Sequence, residues 1–353
     1  MKKFVFLTLF AAAAVTATAQ TDVTAYTPGI TAEGVTYCLP RTALKITVTA
    51  TEQIFVPGEF SRYAERYLKL SGLSDKEQHT WTITGIEVEP YGTPDSGQMY
   101  TIKIDPKSAA SRVQLTKDGL IAAINTQVSS VPNTPAPAAQ PQAKSVNPHD
   151  YLTEDILLAG STAKMAELTA KEIFDIRESR NEITRGQADY IPNDGESLKF
   201  LLQNLEKQEN ALMLLFTGET KTMTHTASYV IIPQESLTKK VLFRLSDKLG
   251  LTDAENLAGA PVYIDIQNLN LLPVPVESGK KASSKSAATG VRYCVPGRAA
   301  VKIYDNLSTY YDREISIAQF GNTETLATGL FSKSATTKVI FDTATGNVKS
   351  IEE

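Results

Sequence analysis

Cysteine is almost missing from this chain: its 353 residues include two cysteines, three histidines and one tryptophan. So few thiol and imidazole groups offer no ligand spacing for a zinc site, and no metal or other cofactor is expected. The familiar catalytic frameworks are missing as well. There is no Gly-x-Ser-x-Gly elbow, no His-Glu-x-x-His, no P-loop and no dinucleotide fingerprint. His79, His149 and His225 stand far apart, none has a cysteine nucleophile beside it, and each reads as a surface histidine. No catalytic residue is expected. Positive charge is not in excess, and a net charge of -4 argues against nucleic acid as a partner. Beyond the N-terminus no apolar run approaches the roughly 20 residues that span a bilayer, so no membrane-spanning segment is expected after leader cleavage.

The N-terminus itself is informative. Lys2 and Lys3 precede an apolar run from Phe4 to Val15, and Ala17-Thr18-Ala19 stands before Gln20, the three-part pattern of a secretory signal peptide over residues 1–19. Export is therefore expected. The roughly 330 residues that remain exceed the size at which one core stops growing, which predicts two or three domains.

The richest pattern is a repeat. Gly34-Val35-Thr36-Tyr37-Cys38-Leu39-Pro40 returns as Gly290-Val291-Arg292-Tyr293-Cys294-Val295-Pro296, and each copy runs into a similar strand, Ala43-Leu44-Lys45-Ile46 and Ala300-Val301-Lys302-Ile303. The two ends of the chain thus use one structural element. In an oxidising compartment the single cysteine pair reads as a Cys38–Cys294 disulfide, available across the two strands if they pair. The alternative is two small buried hydrophobes that never meet.

Periodicity fills in the rest. Residues 20–128 form an N-terminal β-rich unit: Leu44, Ile46 and Val48 alternate, as do Ile83, Ile86 and Val88, and Phe60, Tyr63, Ala64, Tyr67 and Leu68 form one helical face between them. That aromatic stripe reads as core. Residues 129–149 collapse into Pro, Ala, Ser and Gln, an extended linker. Residues 150–277 open with two helices, one capped by Ser161 and running to about Arg185, the next capped by Asp194 and ended by Gly218, joined as an antiparallel hairpin. Strands follow, among them Pro261 to Gln267 with Val262, Ile264 and Ile266 inward. After a polar linker, 278–289, a C-terminal β module fills 290–353 and ends in a hairpin turned by Asp342 to Asn347. The fold class is α+β, with mostly antiparallel β modules at both ends flanking the helical hairpin.

Four residues stand out as candidates for binding. Arg180 interrupts the apolar stripe of the first hairpin helix, where a charge needs a partner such as Glu206 or Glu209, or else contacts an anion. Tyr91, Tyr310 and Tyr311 offer stacking surfaces for a glycan or peptidoglycan if they line one groove. Glu87 and Glu89 share a strand face, which suits a carboxylate pair but is also the pattern of a solvated sheet face.

The run Glu178-Ser179-Arg180, then Gly186, Asp189, Pro192, Asp194-Gly195, Leu212, Leu215-Phe216 and Gly218 resembles the helical hairpin of a secreted family catalogued as domain of unknown function 4831. Leu39-Pro40-Arg41-Thr42, Pro57-Gly58, Tyr63-Ala64, Tyr67-Leu68, Ala318-Gln319-Phe320-Gly321, Phe341-Asp342 and Thr345-Gly346 extend the likeness over nearly the whole mature chain. The resemblance implies an exported protein of Bacteroides-type bacteria, in the periplasm or at the outer membrane, and brings no activity with it. It also implies that the cysteines are no family requirement, so a bridge would be a local stabiliser. The leading expectation is a non-enzymatic envelope protein that binds a protein partner or acts as a scaffold. Glycan or peptidoglycan binding is the alternative, and carboxylate-based hydrolysis a third reading.

Overall fold

A computed structural model of the chain describes residues 23–26, 34–102, 112–128, 146–192, 194–270, 290–326, 328–331 and 337–352. The leader, the Pro/Ala-rich stretch as far as residue 145 and the polar linker 278–289 lie outside the described residues. The fold is mixed α+β with antiparallel sheets, as the periodicity predicts.

In chain order the elements are β1 (Val23–Ala25), β2 (Val35–Val56), α1 (Ala64–Leu68), β3 (Gln78–Ile102), β4 (Val113–Leu115), β5 (Ile121–Ile124), α2 (Glu154–Leu157), α3 (Thr162–Arg185) and α4 (Gly195–Thr217). They continue with β6 (Glu219–Ile231), β7 (Leu237–Ser246), β8 (Gly250–Asp253), β9 (Ala260–Asn268), β10 (Arg292–Tyr304), β11 (Thr309–Thr325), β12 (Lys338–Phe341) and β13 (Val348–Glu352). Among the described residues three sheets result, in the orders β1-β3-β2-β6, β11-β10-β9-β7-β8 and β13-β12-β5-β4. Each sheet draws strands from two of the three sequence segments expected as separate modules. The segments interleave because a strand with an apolar face pairs wherever that face can be covered, not only with its sequence neighbour.

The first two sheets face each other. Leu44, Ile46 and Val48 of β2 are fully buried against Val262, Ile264 and Ile266 of β9 and Val301 and Ile303 of β10. Burying each such side chain is worth roughly 2 kcal/mol relative to exposure. Tyr229 of β6 stacks on Phe243 of β7 with ring centroids 5.3 Å apart. A second apolar cluster joins the third sheet to the ends of the repeat strands through Tyr37, Ile121, Val291, Val339 and Phe341.

The two copies of the repeat begin β2 and β10, and each strand folds into a long hairpin with its successor, β3 or β11. They do not pair with each other: β2 lies between β3 and β6, and β10 between β9 and β11. The expected disulfide is accordingly corrected, since Cys38 and Cys294 are free thiols on strands of different sheets. The copies touch another way. The buried Tyr37 hydroxyl donates to the Arg292 carbonyl at 3.1 Å and accepts from the Arg292 amide at 2.8 Å. Both cysteine amides donate to turn glycines of the third sheet, Cys38 to Gly119 O at 2.9 Å and Cys294 to Gly346 O at 3.0 Å.

The motif Ala318-Gln319-Phe320-Gly321 binds the strand that follows the first copy. Gln319 Oε1 accepts from the Thr42 amide at 2.9 Å, and Gln319 Nε2 donates to the carbonyls of Thr42 and Pro233 at 2.9 and 2.8 Å. The Thr42 hydroxyl accepts from the Ala318 amide and donates to the Ala344 carbonyl, both at 2.9 Å. One amide side chain and one hydroxyl therefore tie all three sheets together.

Candidate functional site

The helical hairpin is built from local signals. Ser161 Oγ accepts from the Lys164 amide at 3.3 Å to start α3, and Gly186, at φ 71°, closes it in the left-handed conformation. Asp194 starts α4 by accepting from the amides of Glu196 at 2.8 Å and Ser197 at 3.1 Å. Hydrogen bonds from Ser197 and from the backbone at Glu196 hold its carboxyl below the usual range. On the first turns of α3 Lys164 pairs with Glu167 at 2.8 Å.

At the base of the hairpin, Ala166, Ala170, Ile173, Leu212, Leu215 and Phe216 pack on Phe60 and Ala64. The helix read over Phe60 to Leu68 is a 3-10 turn, Ser61–Tyr63, followed by the short α1, and Tyr63 and Tyr67 pack on this core rather than forming a stacking platform. Pro57-Gly58 makes the joint between strand and helix: the Phe60 amide donates to Leu215 O at 2.7 Å, and a Cβ on Gly58 would stand 2.3 Å from that same oxygen.

Arg180 has a partner of the kind its sequence position demands. Its Nη1 lies 2.9 Å from Glu209 Oε2, while Arg177 Nε donates to Glu209 Oε1 at 2.6 Å. Glu209 is almost completely buried, whereas both guanidiniums remain about one-third exposed. The two arginines together pair the buried carboxylate.

Beyond this cluster the arm is thinly covered. Phe174, Phe200 and Tyr190 are 48%, 67% and 78% exposed, and Leu198, Leu201, Leu202 and Leu205 are only half-buried. Two helices alone cannot enclose an apolar stripe. Along α4 lies a shallow groove of about 390 Å³ with Ala211 and Leu214 as its floor, Gln203, Glu206 and Lys207 on its rim, and Val146 alongside.

The tyrosines are distributed differently. Tyr91 is half-exposed on β3 of the first sheet, whereas Tyr310 and Tyr311 lie on β11 of the second. The Tyr310 hydroxyl donates to Asp305 Oδ2 at 2.7 Å, and burial together with that carboxylate pushes its pKa up to about 12. Tyr311 packs at the edge of the core with Arg313 over its ring. Glu87 and Glu89 are exposed, and Glu89 faces Lys45 at 3.9 Å.

One cluster escaped the sequence reading. Glu52 of β2, largely buried, lies 3.0 Å from His225 Nε2 of β6 and 3.7 Å from His79 Nδ1 of β3, while His79 Nε2 is 2.8 Å from Glu77. The Trp81 ring leans on His225 at 4.7 Å. Two of the three histidines thus share one carboxylate. The missed signal was Glu52 itself, the charged member of the inward row Leu44, Ile46, Val48, Ala50, Glu52, where a charge requires partners. Among the described residues no hydroxyl or thiol bonds to either ring, and no three His, Cys, Asp or Glu converge as a metal site. His149 stands apart, 3.6 Å from Glu59.

Among the described residues no helix is long and apolar enough to cross a membrane. No curated protein and no solved structure matches the chain. The model of a domain of unknown function (DUF4831) matches residues 33–349, nearly its whole length, and embraces the hairpin, the Gly58 joint and the Gln319 clasp; the chain belongs to that family.

Proposed function

We propose that this is an exported, non-enzymatic protein of the cell envelope, periplasmic or outer-membrane associated, which holds a protein partner on its helical hairpin. The observation that carries the reading is the arm itself: 24- and 23-residue helices, about 36 Å long at 1.5 Å per residue, with Phe174 and Phe200 exposed on the helices and Tyr190 on their connection. Phe200 lies on the same face of α4 as the groove beside Ala211 and Leu214, and exposed apolar side chains along such a groove suit an amphipathic partner helix laid on it. The leader pattern of residues 1–19 supports export. Glycan binding draws less support, because Tyr310 and Tyr311 have structural tasks and only Tyr91 stands half-free.

The test is cross-linking in intact cells with a tagged copy at native level, followed by purification and mass spectrometry. A reproducible envelope partner is expected, and Phe200→Asp removes it while leaving stability within about 0.5 kcal/mol, since the ring is on the surface. Recovery of no partner, or of the same partner with Phe200→Asp, overturns the reading.

A further inference from the structure

Long sheet edges invite pairing with other chains, and folds blunt them with bulges, prolines, outward charges or short length. Among the described residues five of the six sheet edges follow that rule. β1, β4, β8 and β13 are three to five residues long, and β11 carries Asp312, Arg313 and Glu314 along a ladder broken twice in register. β6 does not follow it. Its thirteen residues pair with β2 from Leu44↔Ile231 to Val56↔Glu219 without one register shift, and among the described residues its other side ends the sheet. From Thr222 to Ile231 it contains no Asp, Glu, Lys, Arg or Pro.

The side chains of this edge have an internal symmetry. Odd positions, Met223, Ala227, Tyr229 and Ile231, are half-buried toward the sandwich, and the even positions Thr220, Thr222, Thr224, Thr226 and Ser228 are exposed. This hydroxyl row is palindromic about Thr224. When two such strands run antiparallel about a two-fold axis through Thr224, Thr224 meets Thr224, Thr222 meets Thr226 and Thr220 meets Ser228. Opposed threonines are favourable cross-strand pairs, and the same register sets Lys221 against Ala227 and Glu219 against Tyr229, so no like charges face each other.

We propose that β6 is a self-association edge: two copies of this chain join β6 to β6, centred on Thr224, and merge their four-stranded sheets into one of eight strands. The occupant is a second copy because the row complements itself, and an unrelated strand has no reason to match it. The pairing does not depend on what the arm binds.

Sedimentation of the purified full chain tests this. The wild type is expected as a dimer at concentrations of about 100 µM and above. In T222K/T226K each lysine faces a lysine of the other copy, which raises the dissociation constant at least about tenfold, whereas T222K/T226E opposes Lys to Glu at both positions and retains the dimer. Both variants change exposed side chains only, and matching melting temperatures verify the fold. Should T222K/T226K fail to fold, amide exchange along β6 of the wild type decides instead, because edge pairing makes it slower as concentration rises. A monomeric wild type, equal behaviour of the two double variants, or β6 exchange independent of concentration overturns the proposal. So does a β6 edge occupied by a different protein.

Discussion

At the scale of single residues, the buried Glu209 sets the energetics of the arm. Removing one arginine leaves the other in place, so Arg180→Leu costs about 1 kcal/mol or less, in the range of partly exposed pairs. Removing both strands a buried carboxylate, and Arg177→Leu with Arg180→Leu costs about 3 kcal/mol in urea denaturation; adding Glu209→Leu recovers most of it. Equal losses for the single and double variants would show that Glu209 does not depend on these arginines. Cys294 makes a second prediction. Burial pushes its thiol up to about 11 from 9.0, so the folded chain keeps a proton that the unfolded chain releases. Its contribution to stability is complete below about pH 9 and is lost as pH rises through 11. Tyr37, also raised by burial, acts in the same direction. Iodoacetamide at pH 8 should therefore label Cys294 only on unfolding. Rapid labelling of the native chain would contradict this burial.

At the scale of elements, what the sequence revealed depends on range. The ends of α3 and α4 were legible because Ser161, Gly186, Asp194 and Gly218 act on backbone groups a few residues away. The inward row Val262, Ile264 and Ile266 was legible because a half-buried strand must alternate. Partners were not: β5 pairs with β12 more than two hundred residues later, and nothing local in either strand specifies the other. The Glu52 cluster was hidden for the same reason, since it depends on the diagonal register of three strands. The joints between elements can be tested directly. Gln319→Ala leaves the buried Thr42 amide without its acceptor and should cost about 2 kcal/mol. Gly58→Ala drives a methyl into the Leu215 carbonyl and should cost at least about 2 kcal/mol, as overpacking does. Unchanged urea midpoints for both would contradict the way β2, α4 and β11 are joined here.

At the scale of the whole molecule, the interleaved sheets mean that no sequence segment owns a complete core. β10 lies between β11 and β9, and β12 lies between β13 and β5, so a fragment of residues 290–353 lacks β9 and β5 and should show no cooperative melt. A cooperative transition in that fragment would contradict the shared-sheet architecture. The same interleaving makes the β body one base, and the helical hairpin packs on it through Phe60 and Ala64. The most direct measurement of the arm's role is photo-cross-linking in intact cells from a photoreactive residue at position 200, compared with one at position 311. A discrete protein adduct is expected from position 200 and none from 311; no adduct from position 200, or the same adduct from both, would contradict a docking role for the arm.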